Sequence, residues 1–290
     1  MDLTDALDGA ADLDEARRSV EHAQSLLREA MQAEPRQATY RRVWYLTSTL
    51  KAAILDDETS PSLGDRAGAL AASQEVLEMA EEAVRADARD VQAKSDLAWA
   101  CDRLRYQERD RPGQSLEYAR RAMAMVEETG PQVYPPPRRA LIVRGFAEAL
   151  LGAGKKAEAR ERALEAVAAH RAAAANDPGN RDARHNLVDS LVVAGNVLRA
   201  SGLPEQAEAT YRQAAQEADA LVGKPLNVTL MLSAERAYLA YAGWYAAAKR
   251  EADAREAQKK VLAAWSEWEQ PNAFVQHRKE EAARRLGQAQ

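Results

Sequence analysis

The sequence predicts an all-α protein made of about six consecutive helical hairpins. Ala supplies 63 of the 290 residues and Phe only two, a composition that favours helices over strands. The chain also contains an internal repeat, because residues 64–97 align without a gap with residues 154–187. This alignment pairs Gly64 with Gly154 and Asp87 with Asp177. Together, helical composition and a long internal repeat predict a stack of similar helical units.

The repeat begins with a turn that is followed by an Ala-rich helix. Copies of this signal start at residues 11, 64, 110, 154, 202 and 249, about 48 residues apart on average. In each copy a Pro or an acidic residue ends the first helix, a second helix follows, and the next turn begins, often at Gly. The predicted helices span 13–34, 37–56, 65–87, 90–108, 113–128, 136–152, 155–176, 180–200, 204–222, 226–248, 250–269 and 272–288.

Small residues recur where the two helices of a hairpin are expected to touch. Ala159, Ala163 and Ala166 lie at helical spacing, and small side chains allow two helix backbones to approach closely. The longest connections, 57–63 and 134–137, are too short to serve as flexible linkers. We therefore expect a single domain over residues 1–290, with the charged segment 271–290 as its C-terminal capping helix.

Charge and hydropathy exclude several classes of function. The chain has 40 Lys and Arg against 45 Asp and Glu, a net charge of −5, and the two signs are interspersed. A nucleic-acid-binding face would need clustered basic residues, so no nucleic-acid partner is expected. No apolar run is long enough to cross a membrane and the N-terminus is acidic, which predicts a cytoplasmic protein without a membrane partner. Cys101 is the single cysteine, so the chain can form no internal disulfide and contains no CxxC motif.

The repeat resembles a known family. Asn186-Leu187 in one helix, followed by Gly202, Ala207, Tyr211, Ala214 and Pro225, is similar to the tetratricopeptide repeat signature. Residues 61–70 and the helix after them are similar to the tetratricopeptide arrays of bacterial serine/threonine protein kinases. The resemblance implies a right-handed α-solenoid with repeats longer than the usual length of about 34 residues. It also implies a concave groove, lined by the first helix of each unit, that binds an extended peptide or a partner helix.

Repeat register predicts which residues line this groove. If Leu187 faces its own hairpin, then His185, Asn186 and Asp189 point toward the groove. The equivalent positions in the earlier copy include Asp96 and Trp99, with Arg103 one turn further on. Because this groove contains acidic side chains and little Lys, the sequence favours a basic or Arg-containing peptide as the partner.

Aromatic residues are concentrated between positions 238 and 268. Tyr238, Tyr241 and Tyr245 are spaced i, i+3 and i+7, as in a stripe that faces the core. Trp244 and Trp268 fit that stripe less well. They are either further core residues or a patch that anchors a peptide, since aromatic side chains offer a large contact area.

The sequence contains no convincing catalytic, metal or cofactor motif. His22, His170, His185 and His277 are far apart in sequence, so no metal site is predicted, and no cofactor is expected. The functional prediction is a non-catalytic scaffold or regulatory module in bacterial signalling. The alternatives are an (α/α)6 toroid enzyme such as a glycosidase, because six hairpins could close into a ring, and a domain that senses a small ligand.

Overall fold

The computed structural model describes residues 13–34, 37–57, 59–269 and 273–288, which contain twelve helices and no strand. The prediction of an all-α repeat protein is confirmed. The helices are α1 (Leu13–Ala33), α2 (Ala38–Leu55), α3 (Arg66–Ala86), α4 (Val91–Gln107), α5 (Pro112–Thr129), α6 (Pro136–Gly152), α7 (Lys156–Asn176), α8 (Arg181–Ala200), α9 (Pro204–Asp219), α10 (Val228–Ala247), α11 (Glu251–Ser266) and α12 (Ala273–Gln288).

The tertiary contacts divide the described residues into two units. Unit 1 contains α1–α5 and ends at Pro135, and unit 2 contains α6–α12 and begins at Pro136. Within each unit every helix packs against the next helix along the chain. In unit 2, α8 also packs against α6 and α10. The boundary lies in the Pro-rich segment 134–137, and the single domain over 1–290 stays a prediction.

Left-handed turns precede four of the predicted Ala-rich helices. Gly64, Gly154 and Gly202 have φ angles of 74°, 75° and 74°, and Lys249 has a φ angle of 59°. Gly adopts this conformation without a steric penalty, whereas Lys249 carries a Cβ into it. Four of the six predicted turn positions therefore share one backbone conformation. The predicted start at residue 11 lies outside the described residues.

Polar caps and prolines set several of the helix starts. The side chains of Asp65, Asp90, Asn180 and Asn227 each accept a hydrogen bond from a backbone N–H in the first turn that follows. Pro112 and Pro204 instead begin α5 and α9, where a missing N–H costs no helical hydrogen bond. These local signals explain why the sequence-predicted starts lie so close to the observed ones.

The hairpin contacts are built from small residues, as predicted. Ala159, Ala163 and Ala166 on α7 are almost completely buried. Gly195 on α8 allows a close approach, because a Cβ at this position would lie 2.5 Å from a ring carbon of Tyr211 on α9. Any larger residue at position 195 would push the Tyr211 ring away from α8.

A buried serine lies on four of the even-numbered helices. Ser48 accepts a hydrogen bond from Gln24 Nε2 at 2.9 Å, and the Ser95 hydroxyl lies 3.2 Å from the Tyr134 hydroxyl. Ser190 and Ser233 bond to a histidine and an aspartate, which are described with the candidate site below. Each of these serines has a different partner.

The last described helix, α12, is joined to α10 by a buried carboxylate. Glu235 on α10 is bound by Arg278 on α12, with an Nη2–Oε1 distance of 2.7 Å, and accepts a hydrogen bond from Trp265 Nε1 at 3.0 Å. The predicted capping segment 271–290 therefore contains one described helix, α12. Its residues 271, 272, 289 and 290 lie outside the described ranges. Among the described helices, none is both long and apolar enough to span a membrane.

Candidate functional site

The even-numbered helices bring together side chains from successive hairpins. In unit 2, α8 lies between α6 and α10 and contacts both. In unit 1, α2 and α4 are joined by an ion pair between Arg42 and Asp96 and by a 3.1 Å hydrogen bond from the Tyr45 hydroxyl to the Asp96 carbonyl. These helices carry the residues that repeat register assigned to the groove.

In unit 2, Asp189 is the centre of a polar cluster that crosses three helices. Arg236 Nη2 on α10 lies 2.8 and 2.9 Å from the two carboxylate oxygens, and the Ser233 hydroxyl donates to Oδ1 at 2.6 Å. Arg144 Nη1 on α6 lies 3.4 Å from Oδ2. We call Arg144, His185, Asp189, Ser233 and Arg236 the Asp189 cluster. It links α6, α8 and α10 through one buried carboxylate.

The surroundings of Asp189 keep it ionised. Burial acts to raise the pKa of this carboxyl, but the positive charge of Arg236, supported by Arg144 and by the Ser233 hydrogen bond, holds the pKa well below its ordinary value. The carboxylate is therefore an internal counter-ion. Removing one arginine would leave part of its charge uncompensated in a buried place.

His185 lies at the edge of this cluster. Its Nε2 is 3.8 Å from Asp189 Oδ2, and its buried Nδ1 has no hydrogen-bond partner among the residues that the structure describes. Burial and the nearby charges of Arg236 and Arg144 lower the pKa of the imidazole, although Asp189 acts in the opposite direction. The ring is therefore neutral at neutral pH.

A second histidine, His170, pairs with a serine beside the cluster. Because the Pro137 carbonyl can only accept, His170 Nε2–H donates to it at 3.0 Å, and Nδ1 accepts from the Ser190 hydroxyl at 2.8 Å. Burial lowers the pKa of His170 to about 4. Both side chains are almost completely buried, so this serine–histidine contact joins helices and presents no nucleophile to a substrate.

In unit 1 the three predicted groove residues make separate contacts. Asp96 binds Arg42 and accepts a 2.8 Å hydrogen bond from Gln92 Nε2. Arg103 instead binds Asp57 at 3.0 Å. Trp99 is half-buried and packs against Tyr134, with ring centroids 6.4 Å apart.

Trp244 lies apart from the Asp189 cluster. It is half-buried beside the core residues Leu198, Ala207 and Tyr211, with its ring centroid 6.3 Å from that of Tyr211. Its buried Nε1 has no hydrogen-bond partner in the described part of the chain, and the same is true of the buried Trp268. Tyr238 is buried, as predicted for a core stripe, whereas Tyr241 and Tyr245 are half-buried and bonded to each other through their hydroxyls at 2.5 Å.

The two carboxylates on which the prediction of a basic partner depended are both paired with arginines of this chain. Asp96 is paired with Arg42, and Asp189 is paired with Arg144 and Arg236. Sequence register placed these acids on the even-numbered helices but did not reveal their arginines. Arg144 and Arg236 lie 45 and 47 residues from Asp189, close to the repeat length, and a search for opposite charges one repeat apart would have found them.

A small cavity of about 420 Å³ lies elsewhere in unit 2, where the end of α9 meets α10 and α11. Lys260 Nζ bonds both oxygens of Asp219 at 2.8 Å, and the Tyr238 hydroxyl donates to Asp219 at 2.7 Å. The polar groups of the cavity wall therefore bind one another. The rest of the wall includes the apolar residues Val222, Leu226, Ala263 and Ala264.

The remaining sequence candidates for a chemical role are the Cys101 thiol and possible metal ligands. Cys101 is completely buried, and burial raises the pKa of its thiol to about 11, so the reactive thiolate is suppressed at neutral pH. Within the described ranges, no group of three or more His, Cys, Asp or Glu side chains is placed to hold a metal ion.

Comparison with known proteins identifies the fold. BtubC from P. vanneervenii superposes with a TM-score of 0.57 at 16% sequence identity, covering 90% of this chain and 95% of that one. The TPR-like repeats of a kinesin light chain from Podosopora anserina superpose with a TM-score of 0.50 at 14% identity, covering 79% and 97%. A single-substitution variant of those repeats gives a TM-score of 0.52 at 14% identity, covering 78% and 94%.

No protein-family model and no curated protein matches the sequence. The likeness is therefore one of fold, and it is a likeness to stacked helical repeats, which leaves the (α/α)6 toroid without support. The chain has an all-α fold of tetratricopeptide-like repeats.

Proposed function

We propose that this protein is a non-catalytic interaction module that binds a peptide or a partner helix along its even-numbered helices. The observation that carries the proposal is the side-by-side arrangement of α6, α8 and α10, which places side chains from three successive hairpins on neighbouring helices. An elongated partner can contact all three helices at once. This is the helix- or peptide-in-groove mode of recognition.

The proposed contact residues are the ones that repeat register selects. In unit 2 they are His185, Asn186 and Asp189 on α8 and Trp244 on α10, and in unit 1 they are Asp96, Trp99 and Arg103 on α4. Asn186 and Trp99 are half-exposed and can touch a partner directly. Asp96 and Asp189 act as positioning residues, since each holds an arginine that is more exposed than itself.

The biological setting is proposed to be regulation or scaffolding in the cytoplasm of a bacterium. Its support is the similarity of residues 61–70 and the following helix to repeat arrays of bacterial signalling kinases. A kinase or regulator encoded beside this chain would strengthen the proposal.

A peptide library tests the interaction function. Panning a phage-displayed library of random 12-residue peptides on the full chain should yield peptides that bind with 1:1 stoichiometry. Substitution Asn186→Arg on α8 should change their affinity, whereas the control Leu164→Arg, on an exposed position of α7, should not. An empty selection, or peptides that respond to position 164 and ignore position 186, would overturn the proposal.

Ligand sensing is a second candidate, and the 420 Å³ cavity favours it. Its volume suits a small metabolite. A thermal-shift screen of metabolites tests this candidate function. The variant Lys260→Met, which changes the wall of the cavity, is screened beside the wild-type chain. A ligand that raises the melting temperature of the wild-type chain and has no effect on the variant would support it, and a screen without such a ligand would dismiss it.

A further inference from the structure

Positive charge is concentrated on the even-numbered helices of each unit. In unit 1, α2 and α4 carry six Lys and Arg against two Asp, whereas α1, α3 and α5 carry seven against eleven Asp and Glu. In unit 2, α6, α8, α10 and α12 carry eleven against six, whereas α7, α9 and α11 carry eight against ten. A chain with a net charge of −5 thus has a basic set of helices in both units.

Two ion pairs that join neighbouring even-numbered helices present their positive member to solvent. In the Asp189 cluster, the Arg236 side chain is 30% exposed and the Asp189 side chain only 6%. In unit 1, Arg42 is 42% exposed and Asp96 only 15%. A partner that approaches either pair meets the guanidinium first, because the carboxylate lies underneath.

The Asp189 cluster also holds more positive than negative charge. Arg144 and Arg236 converge on one carboxylate, and that carboxylate already receives the Ser233 hydroxyl. A carboxylate supplied by a partner can reach Arg236 from solvent, because this side chain is 30% exposed. Charge-assisted hydrogen bonds to arginine are about twice as strong as neutral ones, and arginine favours carboxylates for their matching planar geometry.

Apolar residues follow the arginines along the same helices. Leu141 lies one turn from Arg144, Val192 one turn from Asp189, and Leu232 and Leu239 one turn on either side of Arg236. All four are half-buried. The surface is therefore cationic at its centre and apolar at its margins.

We propose that the partner segment docked on α6, α8 and α10 is acidic, with a carboxylate that meets Arg236 and apolar side chains that meet Leu141, Val192, Leu232 and Leu239. This inference rests on the proposed interaction function and names its partner class. It replaces the expectation of a basic partner, which depended on Asp96 and Asp189 alone. A nucleic acid fits less well, because its phosphate backbone offers no apolar side chain to meet Leu141, Leu232 and Leu239.

Three synthetic peptides of identical length test the proposal. Each is a fluorescein-labelled 15-residue amphipathic peptide with the same Leu positions, and its polar positions are all Glu, all Gln or all Lys. Fluorescence anisotropy with the full chain should show that the Glu peptide binds about tenfold or more tightly than the Gln peptide. Its affinity should fall between 50 and 300 mM NaCl, as expected for charge-dependent binding.

Charge variants locate the site. Arg236→Gln should weaken binding of the Glu peptide several-fold and Arg236→Lys should restore part of it, with unchanged circular dichroism as the check on folding. The control Lys259→Gln removes the same charge from an exposed position on α11 and should have no effect. Asn186→Arg adds a positive charge on α8 and should strengthen binding, and this gain cannot arise from misfolding. Leu164→Arg is its matched control on α7.

The outcomes separate this inference from the proposed function. If the Gln or Lys peptide binds as tightly as the Glu peptide and responds to position 186, the acidic preference is overturned and the interaction function stands. If no peptide of any charge binds and the library selection is empty, both fail. If a single-stranded 15-nucleotide DNA binds as tightly as the Glu peptide and competes with it, the surface is a general polyanion site and the proposal is overturned.

Discussion

At the scale of single residues, the imidazole of His170 joins three helices through one neutral ring. It donates to the Pro137 carbonyl on α6 and accepts from Ser190 on α8, while its own backbone belongs to α7. Protonation at Nδ1 would turn that nitrogen into a donor and would place a buried positive charge near Arg144. The ring therefore holds its hydrogen bonds only in the neutral form.

Acid should destabilise the protein through this histidine. The folded pKa of about 4 lies below the ordinary value of 6.5, so the unfolded chain binds a proton in this window and the folded chain does not. The free energy of unfolding should therefore fall by up to about 3 kcal/mol as the pH falls from 6.5 to 4. The lowered pKa of His185 acts with the same sign. Urea unfolding at a series of pH values measures the effect.

Two variants isolate the contribution of His170. His170→Gln should weaken the pH dependence of the free energy of unfolding between pH 6.5 and 4.5. His277→Gln, at an exposed position of α12, should leave this dependence unchanged. If the wild-type chain and His170→Gln lose the same stability over this range, then His170 does not control the acid response.

At the scale of elements, α7 shows how an alanine face sets the distance between helices. Ala159, Ala163 and Ala166 are buried to 1% exposure or less, while Leu164 on the opposite side is 48% exposed. The larger side chain faces water, and the smaller ones face the neighbouring helices. The hydrophobic pattern of this helix is therefore weak, and the size of its residues specifies its packing.

Enlarging the alanine face should destabilise the hairpins around α7. Ala163→Leu inserts three carbon atoms into a close contact and should lower the free energy of unfolding by about 1–3 kcal/mol. The control Leu164→Ala should change it by about 0.5 kcal/mol or less. Urea unfolding of both variants checks the prediction, and an unchanged midpoint for Ala163→Leu would show that the contact is looser than the structure indicates.

The sequence predicted helix positions well because turns and caps are local signals. Gly154, Asn180 and Gly202 mark boundaries that the structure reproduces within a residue or two. One of the larger errors is the end of α9, predicted at 222 and observed at Asp219. There, apolar Leu221 continues the pattern, although its backbone has already left the helix.

The candidate site was only partly predictable from the sequence. Register placed Asp189 on α8, but burial of its carboxylate and two arginines from neighbouring repeats make the more exposed charge of this cluster positive rather than negative. Helical periodicity describes one helix at a time, whereas this reversal depends on side chains from three helices. An offset of one repeat between opposite charges is the signal that connects them.

At the scale of the whole molecule, the last described helix, α12, is held in place by a buried ion pair and an aromatic contact. In unit 2, α12 supplies Arg278 to the buried Glu235, which also accepts from the buried Trp265. Phe274 of α12 packs edge-on against Trp265, with ring centroids 6.3 Å apart. Without α12, the Glu235 carboxylate would lose its ion pair and the Trp265 ring would lose its contact with Phe274.

Deleting residues 271–290 should therefore promote aggregation and lower the melting temperature. Glu235 would lose its arginine, and Trp265 would become exposed. Size-exclusion chromatography with light scattering and a thermal melt measure both effects. Arg285→Gln, on a more exposed position of the same helix, is the control that should change neither. A truncated chain that stays monomeric and melts at the same temperature would contradict a capping role.

The buried serines favour the native order of the hairpins during folding. Hairpins with similar alanine faces could pair in the wrong order, a known hazard of repeat proteins. Ser48, Ser95, Ser190 and Ser233, however, bond to Gln24, Tyr134, His170 and Asp189 in turn. A hairpin in the wrong place would leave a buried hydroxyl without its partner, at a cost of about 1–3 kcal/mol. Each buried serine therefore favours packing of its helix against the native neighbour over packing against a similar helix.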